Sequence, residues 1–229
     1  MSDFKTIIKN EFLGWKWYEI LWLIFCAVVI SVTASFFKDS AIGIIGAICG
    51  ITASVLTGKG KLSAYVIGGI GRILYAIIAY KTKFYGEVML NLLYFVPMEF
   101  YGIYVWNKNM NHETHEVNKR SMNKGQVTVL CFAIAAVTVA YGFLLKHLGS
   151  RLPFVDSFTN TVSVIAMIVT IKMFWQQWVL WLVVNVVSCG MWIYSFVNGT
   201  GSVAILLMWI IYLANSTIML IKWKKASEN

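Results

Sequence analysis

The chain has 229 residues, of which 59% are hydrophobic and 13% charged, and it carries a formal net charge of +9. A mean hydropathy of +0.71 excludes a disordered chain and an ordinary water-soluble domain. The basic residues sit between long apolar stretches, so the surplus reads as membrane topology and attraction to anionic lipid, with no nucleic-acid footprint.

Taken from the N-terminus, residues 1–19 carry Lys5, Lys9 and Lys16 among Phe12, Trp15, Trp17 and Tyr18, a pattern suited to the headgroup interface. Residues 1–35, with Val32-Thr33-Ala34 resembling a cleavage site, have too long a basic part and too long an apolar part for a signal peptide. Eight apolar stretches follow, predicted as spans at 20–37, 41–56, 62–80, 88–106, 126–145, 158–172, 175–197 and 202–221. About 20 apolar residues cross a bilayer as a helix, which satisfies its own backbone there. The sixth and seventh stretches almost fuse at 172–176, but about 40 residues are too many for one crossing. The expected fold class is therefore all-α integral membrane with eight transmembrane helices.

Eight spans put both termini on one side. That side holds thirteen Lys and Arg residues, the other holds five, and Arg72 lies within a span. The asymmetry predicts a plasma-membrane protein with both termini cytoplasmic.

Residues recur at a nearly fixed offset. Asp39 and Ser40 open the second span as Asp156 and Ser157 precede the sixth, and Trp106 closes the fourth as Trp223 closes the eighth, each 117 apart. Tyr94 with Tyr212, and Tyr65 with Trp181, match within one residue of that offset. The expected plan is an accessory first helix plus a 3+1+3 bundle of parallel repeats. Its parts are 1–38 (interfacial segment and accessory helix), 39–109 (first repeat), 110–150 (basic cytoplasmic loop and linker helix) and 151–229 (second repeat and basic tail). Such repeats, related by an axis along the membrane normal, are a transporter arrangement with substrate held near mid-membrane.

The second span is rich in glycine (Gly43, Gly46, Gly50), as close helix packing requires. Arg72 in the third span and Glu99 in the fourth fall at depths that an arginine side chain can bridge, and a lone intramembrane charge is costly, so the two are expected to pair. In the fourth span Glu87, Asn91, Tyr94, Met98 and Tyr101 form one stripe, and Pro97 removes a backbone donor in mid-span. In the seventh, helical spacing puts Gln177, Trp178, Trp181, Asn185, Ser188 and Trp192 on one arc and Leu180, Val183, Val184, Val187 and Met191 on another. A lipid-facing helix has no reason to sort itself this way, and Trp181 and Asn185 lie too deep for an interfacial belt, so they are expected to line a cavity. Trp209, Tyr212, Asn215 and Ser216 share a face of the eighth span.

A membrane enzyme would need a catalytic cluster at one depth. The HETH run (His112, Glu113, Thr114, His115) instead falls in a polar loop, expected to be solvated, and lacks the ligands of a metal site. Cys26, Cys49, Cys131 and Cys189 are scattered as small apolar packers and predict no disulfide. No catalytic residue, metal or cofactor is expected.

GKGK at 58–61, the pattern YGE-xxx-N-xx-Y-xx-P from Tyr85 to Pro97, RLPFVDSF from Arg151, and W-xx-W-xxx-N from Trp178 to Asn185 together resemble the PnuC family of bacterial vitamin transporters over residues 39–225. The resemblance implies a seven-helix 3+1+3 core like that of SWEET sugar transporters. It also implies uptake of nicotinamide riboside by facilitated diffusion, with trapping by cytoplasmic phosphorylation. It names Asn91, Tyr94, Gln177, Trp178, Trp181 and Asn185 as substrate-binding, and the internal repeat adds Tyr212 and Asn215. It further implies a homotrimer, and leaves thiamine as the alternative vitamin. Both are flat cations, which indole faces attract.

Overall fold

In the computed structural model the described residues are 11, 13–111, 113–147 and 153–227. Among them the chain is helical throughout: α1 (Trp17–Phe36), α2 (Ala41–Lys59), α3 (Ser63–Lys81), α4 (Tyr85–Met89, Leu90–Phe95 and Val96–Lys108 in continuation), α5 (Lys124–His147), α6 (Pro153–Ile171), α7 (Gln177–Val197) and α8 (Val203–Ser227). By length and composition seven of these are membrane spans, and the apolar Ser157–Ile171 stretch of α6 is the shorter eighth. The interfacial segment expected at the N-terminus lies largely outside the described residues.

Local chemistry sets the ends. Ser40 caps α2 by accepting from the Gly43 N–H at 3.1 Å, as short hydroxyl side chains do at helix starts. Asp39 accepts from the Ser40 N–H at 2.7 Å, and its other oxygen accepts from Ser202 Oγ at 2.6 Å and the Ala204 N–H at 2.9 Å. One carboxylate thus satisfies the starts of both α2 and α8, and places a negative charge where both helix dipoles favour it. At its far end α2 stops on Gly60 with φ +75°, and the Lys61 N–H turns back to the Leu56 carbonyl, a left-handed termination natural to glycine. α6 ends in the same way on Met173 with φ +63°, where Phe174 N–H returns to Val169 O. That turn separates α6 from α7 at the boundary the hydropathy left tight.

Pro97 does not break α4. The helix widens to a π-helical stretch over Leu90–Phe95 just before it, because the proline ring crowds the carbonyl four residues back and supplies no N–H. Such wide turns are frequent at functional sites, and this one carries Asn91 and Tyr94.

The described residues fall into two compact units, those within Met1–Asn118 together with Ser188–Asn215, and those within Lys119–Val187 and Ser216–Asn229. In the first, α2 and α3 approach closely: a Cβ at Gly46 would lie 3.1 Å from Leu74 Cβ, and one at Gly71 would lie 3.1 Å from the Gly50 nitrogen. Tyr65 and Trp106 pack edge to face at 4.8 Å. In the second, Trp178 and Trp223 pack edge to face at 5.9 Å, and Ser157 donates to the Thr138 carbonyl at 2.7 Å.

Glu113 and Thr114 of the HETH run are exposed as expected and His115 is half-buried, while contacts to the α2–α3 turn are made beside them. Lys61 is fully buried and its Nζ donates to the carbonyl of His115 at 3.1 Å, while the Val117 N–H donates to Gly60 O at 3.1 Å. Lys59 pairs with Glu19 at 2.7 Å and donates to Gly14 O at 2.9 Å. The lysines of the GKGK turn therefore act structurally, by tying down backbone carbonyls of neighbouring segments. His112 lies outside the described residues, and no group of three or more His, Cys, Asp or Glu among the described ones is placed to hold a metal. The four cysteines are free thiols.

Candidate functional site

α7 turns its polar side inward. Gln177, Trp178, Asn185, Ser188 and Trp192 are all buried, whereas Val179, Val183, Val186 and Ile193 are exposed. In a bilayer this is the expected inversion, since polar groups facing lipid are expensive.

Within the second unit, Asn185 Nδ2 donates to Ser216 Oγ at 2.9 Å, and the Trp181 indole N–H donates to Thr170 Oγ1 at 2.9 Å. Thr170 in turn donates to the Ala166 carbonyl at 2.8 Å. Trp181 is half-buried. Gln177 is different. It is 0% exposed, yet neither its amide oxygen nor its nitrogen has a hydrogen-bond partner, and the neighbouring Trp178 N–H is also unpartnered. Buried polar atoms are nearly always paired, and leaving one unmade costs about 1–3 kcal/mol. Three such atoms lie on two consecutive residues at the start of α7.

The first unit holds the other predicted residues. Arg72 Nε lies 2.5 Å from Glu99 Oε1, and the guanidinium stacks 3.9 Å from the Phe95 ring centroid. Asn215 Nδ2 donates to Ser54 Oγ at 2.7 Å, and its buried Oδ1 has no partner. Tyr212 stacks edge-on to Trp209 at 5.4 Å, with its hydroxyl in the space that Gly50 leaves by having no side chain. Asn91 is buried and donates to the Glu87 carbonyl at 2.8 Å, while Tyr94 is half-buried beside Phe95, ring centroids 5.4 Å apart.

Sequence reasoning missed Tyr75, which sits at the centre of this unit. Its hydroxyl accepts from the Trp192 indole at 3.2 Å and donates towards Glu87 Oε2 at 3.4 Å, and its ring packs against Trp209 at 6.0 Å. The available signal was its position 117 residues before Trp192. Thr170, the acceptor that orients Trp181, carried none. Each unit therefore presents amides, hydroxyls and indoles at membrane depth with some of their hydrogen-bonding capacity unused. That chemistry suits recognition of a flat, polar-edged molecule.

Comparison with known proteins agrees in kind. Residues 40–225 match the family model described as nicotinamide mononucleotide transporter. A nicotinamide riboside transporter PnuC of Neisseria mucosa is 39% identical over 222 residues, covering 95% of this chain and 84% of that protein. One of Haemophilus influenzae is 31% identical over 222 residues, covering 95% of each. A crystal structure of the vitamin B3 transporter PnuC superimposes with a TM-score of 0.88 at 37% identity, covering 97% of each chain.

Proposed function

From the premise that this chain belongs to the nicotinamide mononucleotide transporter family, a family of multi-pass membrane transporters, we propose that it takes up nicotinamide riboside by facilitated diffusion, with phosphorylation in the cytoplasm trapping the product. The observation that carries this reading is the unused capacity of Gln177: a fully buried amide with both atoms free is a ready partner for a carboxamide, which needs one donor and one acceptor in return. Trp178 and Trp181 supply aromatic faces for a pyridinium ring. Asn185 and, in the first unit, Asn91, Tyr94, Tyr212 and Asn215 supply hydroxyl and amide groups suited to a ribose. The names of the Neisseria and Haemophilus relatives support the same substrate.

The 3+1+3 plan, a homotrimeric assembly and cytoplasmic termini belong to this proposal. The recurrence of the left-handed stop after α2 and α6 supports the plan, and the thirteen-to-five split of basic residues supports the orientation. Passive transport is supported by the Arg72 guanidinium at Glu99, which occupies a carboxylate that proton coupling would have to release. The test is uptake of labelled nicotinamide riboside into proteoliposomes. Internal and external concentrations should equalise and be unaffected by collapsing the proton gradient. Accumulation above the external level, lost on collapse, would overturn the mechanism.

A further inference from the structure

Four carboxylates of the first unit have structural partners. Glu19 holds Lys59, Glu99 holds Arg72, Asp39 caps two helices, and Glu11 binds Ser63. Glu87, inside α4, stands apart from these four. No lysine or arginine among the described residues forms an ion pair with it, and its contacts to Tyr75 Oη at 3.4 Å and Asn91 Nδ2 at 3.5 Å are long for hydrogen bonds to a charged acceptor. Because Arg72 is held by Glu99, Glu87 at the start of α4 has no ion-pair partner of its own among the described residues.

Its surroundings are aromatic. Trp192 donates to the same Tyr75 hydroxyl, its ring lies 5.8 Å from that of Tyr75, and Phe84 meets it edge-on at 5.5 Å. A carboxylate among phenol and indole rings attracts an organic cation by charge and by ring quadrupole together. A small hard metal ion would require more oxygen ligands. Intramembrane acids without a partner mark substrate pathways, and the π-helical stretch begins three residues after Glu87.

Building on the substrate reading above, we infer that Glu87, set among Tyr75, Trp192 and Phe84, is a charge-selecting residue that favours the cationic pyridinium form of the substrate over an uncharged ring of the same shape. Under the orientation proposed above it stands at the outer end of the path, where it raises the local concentration of cations.

The test compares nicotinamide riboside with its reduced, uncharged dihydropyridine form, bound to the purified full chain in detergent. Glu87→Gln should weaken binding of the cation by about tenfold and leave the neutral form within about threefold. Glu87→Asp, which keeps the charge, should keep the preference and covers the case in which the amide variant folds poorly. Equal loss on both forms, or no loss on either, overturns the inference. A wild-type chain that binds thiamine instead overturns the substrate assignment alone. The ratio between thiamine and its neutral deaza analogue then decides the role of Glu87 by the same criterion. Binding of none of the four overturns both.

Discussion

Trp192 donates its indole N–H to the hydroxyl of Tyr75 across 3.2 Å, and the two residues are 117 positions apart, the offset that relates Asp39 to Asp156 and Trp106 to Trp223. In a structure with a two-fold relation between repeats, equivalent residues touch only at the axis. Under the proposed parallel-repeat plan, this contact would lie at the axis. Trp192 is 0% exposed, so its N–H has no water to turn to. Tyr75→Phe should cost about 1–3 kcal/mol by leaving that donor unmade, read as a lower midpoint of thermal unfolding in detergent. An unchanged midpoint would mean that the bond contributes nothing.

Arg72 and Glu99 should behave as a unit. Breaking a buried pair from one side costs about 3–5 kcal/mol, and somewhat less here, because the Arg72 side chain is 24% exposed and partly screened. Arg72→Met and Glu99→Gln should each lower stability, and the double substitution should recover much of the loss. A double-mutant cycle measures this coupling, and additive losses would show that the pair is not energetically coupled.

Gln177 separates stability from function. Replacing it by leucine removes two unpaired polar atoms from a buried site, so the fold should be unharmed or stabilised by about 1 kcal/mol, while binding is lost. Thermal unfolding and ligand titration on the same preparation test both halves. A destabilised Gln177→Leu protein would mean that the amide already has structural partners.

Much of this was legible in advance. Helix ends fell within a few residues of the hydropathy pattern, since about 20 apolar residues have one use in such a chain. The inward polar arc of α7 followed from helical periodicity, because sorting polar from apolar side chains is visible in spacing alone. The seat of Lys61 was not legible: its partners are backbone carbonyls, which any residue supplies and no composition announces. Pro97 announced an irregularity but not its form, because widening the preceding turns and breaking the helix both relieve the same clash. Tyr75 was passed over because a single mid-span tyrosine resembles ordinary packing until its partners are known.

Gly50 tests the close approach at α2. A Cβ there would overlap the Tyr212 hydroxyl and come within 2.9 Å of Met208 Sδ, so Gly50→Ala should cost about 1–3 kcal/mol through overpacking. Because Tyr212 must move, ligand affinity should fall further than stability does. Affinity retained at full strength would remove Tyr212 from the binding set.

The central claim is that this chain recognises nicotinamide riboside through the polar arc of α7. The most direct measurement titrates purified protein in detergent with nicotinamide riboside and with thiamine, using Trp181→Ala as the control. The account predicts binding of nicotinamide riboside, weaker or no binding of thiamine, and loss of the signal in Trp181→Ala. Thiamine binding alone, or nicotinamide riboside binding untouched by the substitution, would contradict it.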